Sequence, residues 1–540
     1  MSGIPKFWRV IGSIALLHMS AASSAEPMPS TSVLNGAASR CKQLTIEDDI
    51  VGLIIQSTRH VTQKIKQADP SYCEVIAKDV SEKGSSIGMI FRLPDRWNGK
   101  ILGLGGGGFA GNLTLQSALP GLKRGYATFQ NDTGHNSAMP WDTSWAKSDD
   151  GTANAIGLID FGFRAVHIMT QSGKAVVKAY YAKQASRAYF QGCSQGGRQG
   201  LVEAQRYPQD YDGIISGAPA FTDHSRVSMA MIGRAFRAPG AALSEQKIKL
   251  VNQGALRACD ATDGLKDGII TDPSRCKWDP RELLCRAEME NNSCLTQPQV
   301  EAVRSVYSDK KGPLWETLAY GLPRGSELAT FPWYMALKQD TQVFTGYANF
   351  AAAAGIPENT DFSRNDVLAD HYLQKNSLFG VTYLADNPDL APYFGRGGKL
   401  LLWQGMYDLL IPPRPLVDYF EKMLRVTKTE LAATGSRTDI DDSARLFLAP
   451  GVSHCMGGPG HSDFDALAVI EDWVEQGNPP SRIEADQPQP RMVEMAEALL
   501  KEIPAEIRPR GSRPLCAWPR LPRYQGNGDS NDARSFKCVE

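Results

Sequence analysis

Between Phe190 and Ala220 the chain reads FQGCSQGGRQGLVEAQRYPQDYDGIISGAPA. Within it, Gly192-Cys193-Ser194-Gln195-Gly196 has the G-x-S-x-G form of a nucleophile elbow. Such an elbow is a sharp strand-to-helix turn that lifts a serine hydroxyl clear of the backbone. Its glycines are required because a side chain there would strike the neighbouring strand and helix. A lone match could be an ordinary glycine-rich turn, so context decides. Ala188 to Phe190 reads as the end of a buried strand, Arg198 to Tyr207 as a helix, and Asp212 to Ser216 as the next strand. That is the order the elbow needs, and it points to an α/β domain with a mostly parallel sheet.

Other segments agree with this class. Ser86 to Leu93 alternates with period two, Lys100 to Leu104 is a short strand, and Tyr126 to Phe129 is another. Residues 155 to 183 carry helical apolar spacing. From 221 to 394 strand signals fade and aromatics gather, among them Trp315, Phe331, Trp333, Tyr334, Phe344, Tyr347 and Phe350. The Lys399 to Trp403 run then restores a buried strand. The expected organisation is a catalytic domain over 26–220 and 395–540, interrupted by a lid domain over 221–394.

The start of the chain reads as a signal peptide over 1–25. Lys6 and Arg9 precede a short apolar run, and Ser23-Ser24-Ala25 supplies small residues for cleavage. The run is too short to span a bilayer comfortably. Residues 26 to 40 are small and polar, which predicts a flexible leader. With 540 residues and a net charge of −1 there is no basic footprint for nucleic acid. The expectation is a secreted or periplasmic protein without a membrane partner. Ten cysteines agree with an oxidising compartment. Proximity pairs Cys259 with Cys276, Cys285 with Cys294 and Cys516 with Cys538, leaving Cys41, Cys73, Cys193 and Cys455.

A serine needs a base and a group that orients the base. In the α/β-hydrolase order the acid follows the serine and the histidine comes last. His224 and His371 fall in the lid segment, too early. His454 lies in the glycine-rich loop Gly451 to Gly458, where the base should arrive. His461, just beyond it at the start of a helix, reads as a surface residue. Asp408, in the loop after the Leu400 to Gln404 strand, is the candidate acid. Asp439, Asp441 and Asp442 read as solvated loop residues. Cys193 directly precedes the serine and Cys455 directly follows the histidine, so a bond between them would set Ser194 beside His454.

These features, with GGGGFAG over Gly105 to Gly111, NDTGH over Asn131 to His135, Gly325-Ser326-Glu327 and the tail from Pro514 to Cys538, resemble the tannase and feruloyl esterase family. That family includes the hydrolase of mono(2-hydroxyethyl) terephthalate. The resemblance implies an α/β-hydrolase fold with a large inserted lid. It also implies disulfides 41–73, 193–455, 259–276, 285–294 and 516–538. The implied activity is a serine carboxylesterase for hydroxycinnamic or gallic type esters. Its substrate would be a small aromatic ester, free or carried by plant polysaccharide or polyphenol. A terephthalate monoester hydrolase and a non-catalytic, calcium-stabilised binding protein are the alternatives. Gln195 and either Gly106 or Gly107 are the expected oxyanion donors. His135 precedes the serine and reads as structural or pocket-lining. The loop from Cys259 to Ile269 sets three carboxylates close together; it could be an acidic surface turn, but the resemblance implies structural calcium. Its ligands would be Asp260, Asp263 and Asp267 with the carbonyls of Leu265 and Ile269. No organic cofactor is expected.

Overall fold

Runs of leucine, valine and aromatic residues long enough for a strand, each closed by glycine or proline, dictate the core of this protein. The structure is a computed structural model describing residues 31–46, 52–62, 69–135, 137, 142–222, 233–286, 291–311, 317–329, 333, 378–487 and 511–540. The signal segment, His224, His371 and the aromatics Trp315, Phe331, Tyr334, Phe344, Tyr347 and Phe350 lie outside the described residues.

One sheet has nine strands: β1 Leu53–Val61, β2 Tyr72–Asp79, β3 Ile87–Pro94, β4 Lys100–Leu104, β5 Ala127–Asn131, β6 Arg187–Cys193, β7 Gly213–Gly217, β8 Lys399–Gly405 and β9 Ala444–Ala449. Their spatial order is β1-β2-β3-β5-β4-β6-β7-β8-β9. The pairs from β5 through β9 are parallel, whereas β1, β2, β3 and β5 join antiparallel. The alternation of Ile87 to Leu93 suits such a strand near the edge of a mixed sheet.

Period-two geometry splits β8 between two cores. Leu400 and Leu402 pack with Leu416, Phe420 and Met423 of the helix Pro413–Ala433, and Leu401 and Trp403 pack on the other face with Ile470 and Trp473 of the helix Ala466–Gln476. A third cluster holds Val251, Ala255, Trp278, Val303, Tyr307 and Trp333 together with Leu409. Trp333 is therefore a core residue, packed against Phe236 with ring centroids 5.0 Å apart. The leader is helical rather than flexible over its later part. Helix α1 spans Thr31–Lys42 and is tethered to β2 by the Cys41–Cys73 disulfide, a constraint that composition does not reveal. All five disulfides join the pairs 41–73, 193–455, 259–276, 285–294 and 516–538. No helix among the described residues is long and apolar enough to cross a membrane.

The helical stretch after residue 155 is interrupted. A π-turn over Asp160–Arg164 separates Ala155–Ile159 from α2, Ala165–Tyr181. Helix α3, Gln195–Arg206, follows β6 directly. At its far end Glu203 is fully buried, and burial together with the charge of Asp210 pushes its carboxyl well above the usual range. Asp210 is held low despite its own burial. His167 Nδ1 lies 2.6 Å from it, Gln171 donates to it at 2.6 Å and Lys174 stands 3.4 Å away.

A carboxyl raised on folding holds a proton that the unfolded chain releases. Its stabilising effect is complete below about pH 4.3 and fades as pH rises toward the folded value. Glu203→Gln keeps the neutral shape and is expected to leave the melting temperature at pH 8 unchanged or raised. Asp210→Asn strands its donors and is expected to cost about 1–3 kcal/mol. Equal losses in the two variants by thermal denaturation at pH 8 would contradict this assignment.

Candidate active site

The parallel strands deliver their loops to one edge of the sheet, where open α/β sheets place their sites. β6 ends at Cys193 and α3 begins at Gln195, so Ser194 alone makes the turn. Its backbone sits at φ 62°, ψ −122°, a region that a residue with a side chain adopts only under constraint. Hydrogen bonds supply that constraint: Ser194 N donates to Gly217 O at 2.9 Å, and its carbonyl accepts from Arg198 N and Ala220 N. A Cβ on Gly192 would stand 2.4 Å from the Gly196 carbonyl carbon, and one on Gly196 would stand 3.0 Å from the Gly106 carbonyl oxygen, so both places favour glycine.

The loop after β9 carries His454, and the loop after β8 carries Asp408. Ser194 Oγ lies 2.8 Å from His454 Nε2, and His454 Nδ1 lies 2.7 Å from Asp408 Oδ2. With a carboxylate on the Nδ1 side, that nitrogen carries the proton and Nε2 is free to accept from the serine. Asp408 is completely buried. Its Oδ1 accepts from the Leu410 and Ile411 amides at 2.9 and 2.8 Å, and its Oδ2 accepts from Gln404 Nε2 at 2.9 Å. The ring of donors fixes the carboxylate plane and compensates its burial. The Cys193–Cys455 bond, with Cα atoms 6.1 Å apart, joins the residue before Ser194 to the residue after His454.

Around the serine, Gln195 opens α3, so its amide N–H has no acceptor within the helix. The glycine run lies against the elbow, with a Cβ on Gly105 only 2.4 Å from Gly196 Cα. Gly106 N–H donates to Gln199 Oε1 at 2.9 Å, and Gly107 N–H reaches Ala110 O at 3.2 Å. His135 holds the same loop: its Nε2 donates to the Phe109 carbonyl at 2.6 Å and its ring stacks on Trp145 at 4.1 Å. Burial pulls this imidazole down to about 4, so it is neutral near pH 7.

His461 is not the surface residue expected. It is 4% exposed, and burial, then the nearby Arg513 charge, pulls it down to about 3. The loop doubles back, with Gly460 N–H donating to Gly451 O, and its far side lines a small cavity with Arg513, Pro514 and Leu515. The helix begins only at Ala466. Asp439, Asp441 and Asp442 are exposed as expected. Arg198 and Gln199 fall within the GCSQGGRQG stretch that carries the family resemblance, and with Gln404 they hold the site from behind, a role that no motif announces. The available signal was their helical or strand offset from Ser194 and Asp408.

The acidic loop is pinned by Cys259–Cys276. Asp260 accepts from the Asp267 and Gly268 amides, Asp263 from the Leu265 amide and Thr271, and Asp267 from the Ile269 amide and Arg513. Burial, and further down the charge of neighbouring aspartates, raises the Asp260 and Asp263 carboxyls. Hard oxygen donors are the ligand type calcium takes. Among the described residues, however, the group of carboxylates and histidines whose ligand atoms lie within 4.8 Å of one another is His167, Glu203 and Asp210, not these three aspartates.

A family profile described as tannase and feruloyl esterase matches residues 73–539. A probable feruloyl esterase of Arthroderma benhamiae is 31% identical over 83% of this chain and 81% of its own. The mono(2-hydroxyethyl) terephthalate hydrolase of Piscinibacter sakaiensis is 28% identical over 87% and 85%. Among solved structures, feruloyl esterase B from Aspergillus oryzae superposes with a TM-score of 0.78 at 24% identity, covering 93% of this chain and 100% of that one. Tannin acyl hydrolase from Aspergillus niger gives 0.72 at 21% identity, covering 94% of each. Both share the fold, that of an α/β hydrolase. The chain thus belongs to the tannase and feruloyl esterase family of ester hydrolases.

Proposed function

We propose that this protein is an exported serine carboxylesterase that cleaves esters of aromatic acids through an acyl-enzyme on Ser194. The unbroken chain of contacts from Asp408 through His454 to Ser194 Oγ carries this reading. His454 Nε2 takes the serine proton as Oγ attacks the ester carbonyl carbon. The carbonyl electron pair moves onto oxygen, where the Gln195 amide stabilises it; the Gly106 and Gly107 N–H groups are already taken by Gln199 Oε1 and Ala110 O. Collapse of the tetrahedral centre breaks the carbon–oxygen bond to the alcohol, which leaves with the proton from His454. Water then repeats the sequence: His454 deprotonates it, the acyl carbon is attacked, and Ser194 recovers its proton. Asp408 keeps the ring oriented and stabilises its charged form.

Relatives named feruloyl esterases support hydroxycinnamic or gallic type esters as substrates. A terephthalate monoester presents a free carboxylate, which favours an arginine fork. No arginine lies between Arg324 and Arg364 in the sequence. Arg324 itself donates to the Trp278 carbonyl and lies over the Tyr307 ring at 4.5 Å. Five disulfides and the signal-peptide pattern over 1–25 support export. Calcium, held by Asp260, Asp263 and Asp267 with the carbonyls of Leu265 and Ile269, would neutralise the acidic loop and brace it against the tail through Asp267 and Arg513. It supplies charge compensation to the fold and takes no part in the ester chemistry.

Release of p-nitrophenol from a short-chain ester, followed with wild type and Ser194→Ala, tests the chemistry. The variant is expected to lose at least about 10⁴-fold in kcat. Turnover retained within an order of magnitude would remove Ser194 from the mechanism. For the cation, a chelator is expected to lower the melting temperature by several degrees, reversed by added calcium, with kcat/KM well below the transition little changed. A melting temperature indifferent to both additions would count against it.

A further inference from the structure

Arg198 is completely buried one helical turn after Ser194, and among the described residues no carboxylate pairs with it. Each of its three nitrogens donates. Nε donates to Gln195 Oε1 at 2.9 Å, Nη1 to the Tyr383 carbonyl at 2.7 Å, and Nη2 to the Phe161 and Gly162 carbonyls at 2.9 Å each. The π-turn over Asp160–Arg164 contains both of the latter carbonyls. Two aromatic faces flank the cation, Tyr383 at 4.6 Å and Phe161 at 5.5 Å from ring centroid to guanidinium carbon. Burial pulls the group down to about 10, so it remains a cation at neutral pH. A buried charge without a counter-ion is a costly way to fill space. What it grips gives the reason for it.

Its first partner is the carboxamide of Gln195, the residue after the serine, whose backbone amide opens α3. The next residue on the helix, Gln199, is 1% exposed, and its Oε1 takes the Gly106 amide. On one turn of α3, Arg198 thus holds the side chain of the residue after the serine, and Gln199 holds the backbone of the glycine loop that lies against the elbow. The grip closes on itself. Phe109, in the glycine loop, packs toward Phe161 at 6.1 Å, and Phe161 lies under Arg198.

We propose that Arg198 and Gln199 are positioning residues for the oxyanion hole, Arg198 fixing Gln195 and Gln199 fixing the Gly106–Gly107 segment. The inference rests on Ser194 being the nucleophile. Oxyanion donors act only if they stand at the place where charge develops, before it develops. Gln199 takes the Gly106 N–H and Ala110 O takes the Gly107 N–H, so the glycine loop bears on the site by lying against the elbow that carries Gln195, not by donating from either glycine. Both residues act through others and touch no reacting atom.

The test compares Arg198→Lys, Gln199→Leu and Ser194→Ala with wild type. Gln199→Leu preserves approximate volume and removes the acceptor. Three quantities are read: kcat and KM for methyl ferulate, the inhibition constant of an arylboronic acid that forms a tetrahedral adduct on a serine, and that of ferulate, which forms none. The expected result is a fall in kcat of about 10- to 100-fold with KM within about threefold. Boronate inhibition should weaken in parallel while ferulate inhibition stays constant. A general loosening of the fold would weaken both inhibitors together, and that outcome overturns the proposal. So does a kcat and boronate affinity within about twofold of wild type in Gln199→Leu, which decides the matter alone should Arg198→Lys fail to fold. Turnover surviving in Ser194→Ala would sink the nucleophile assignment and this inference with it; a dead Ser194→Ala beside unaffected positioning variants sinks the inference only.

Discussion

The site depends on a covalent constraint between two strained turns. Ser194 at φ 62° and Cys455 at φ 60° are both non-glycine residues in the left-handed half of backbone space. Each lies next to, or forms part of, the Cys193–Cys455 bond. Strained backbone persists only where its surroundings over-determine it. Here β6, β7 and the Gly451–Gly458 loop provide the non-covalent part of that restraint, and the bond provides the rest. It spans a sequence separation of 262, so the unfolded chain loses much freedom by keeping it, up to about 5 kcal/mol in the chain-entropy account. Hydroxyl and imidazole are thereby linked through a few backbone bonds rather than through the whole domain.

Around this link the side chains form concentric supports. Gln404 and the Leu410 and Ile411 amides fix Asp408, Asp408 fixes His454, and the elbow fixes Ser194. Behind the elbow, Arg198 ties the Gln195 side chain to the carbonyls of 161, 162 and 383, and Gln199 takes the Gly106 amide. The parallel part of the sheet brings these loops together because β4, β6, β8 and β9 all end at the same edge. His135 and Phe109 extend the support into an aromatic layer that runs through Trp145 and Phe161 to Tyr383.

Much of this was legible beforehand, for identifiable reasons. The elbow is local, so Gly192 to Gly196 announces itself within five letters. The strands β4, β6, β7 and β8 were legible because buried parallel strands read as continuous apolar runs. The partners of Ser194 were legible through chain order and through the matched cysteines. The rest depends on contacts between distant segments. Helix α1 is held in place by Cys41–Cys73, and small polar residues give no hint of that. His461 looked exposed because its sequence neighbours are Gly460, Ser462 and Asp463; the tail residues that cover it lie some fifty positions away. The role of Arg198 was illegible for the same reason, since its acceptors come from 161, 162 and 383. An isolated basic residue on a helix ordinarily reads as solvated.

In the proposed mechanism the sulfur bridge keeps base and nucleophile in register, and acylation is the step most sensitive to that register. The direct measurement is the pre-steady-state burst of p-nitrophenol from p-nitrophenyl ferulate. It should be compared between wild type and Cys193→Ala/Cys455→Ala at a temperature where both are folded. The bridge account predicts a burst slowed by about a hundredfold, the scale expected when reacting groups shift by about 1 Å. A burst of unchanged rate in the folded double variant would contradict it.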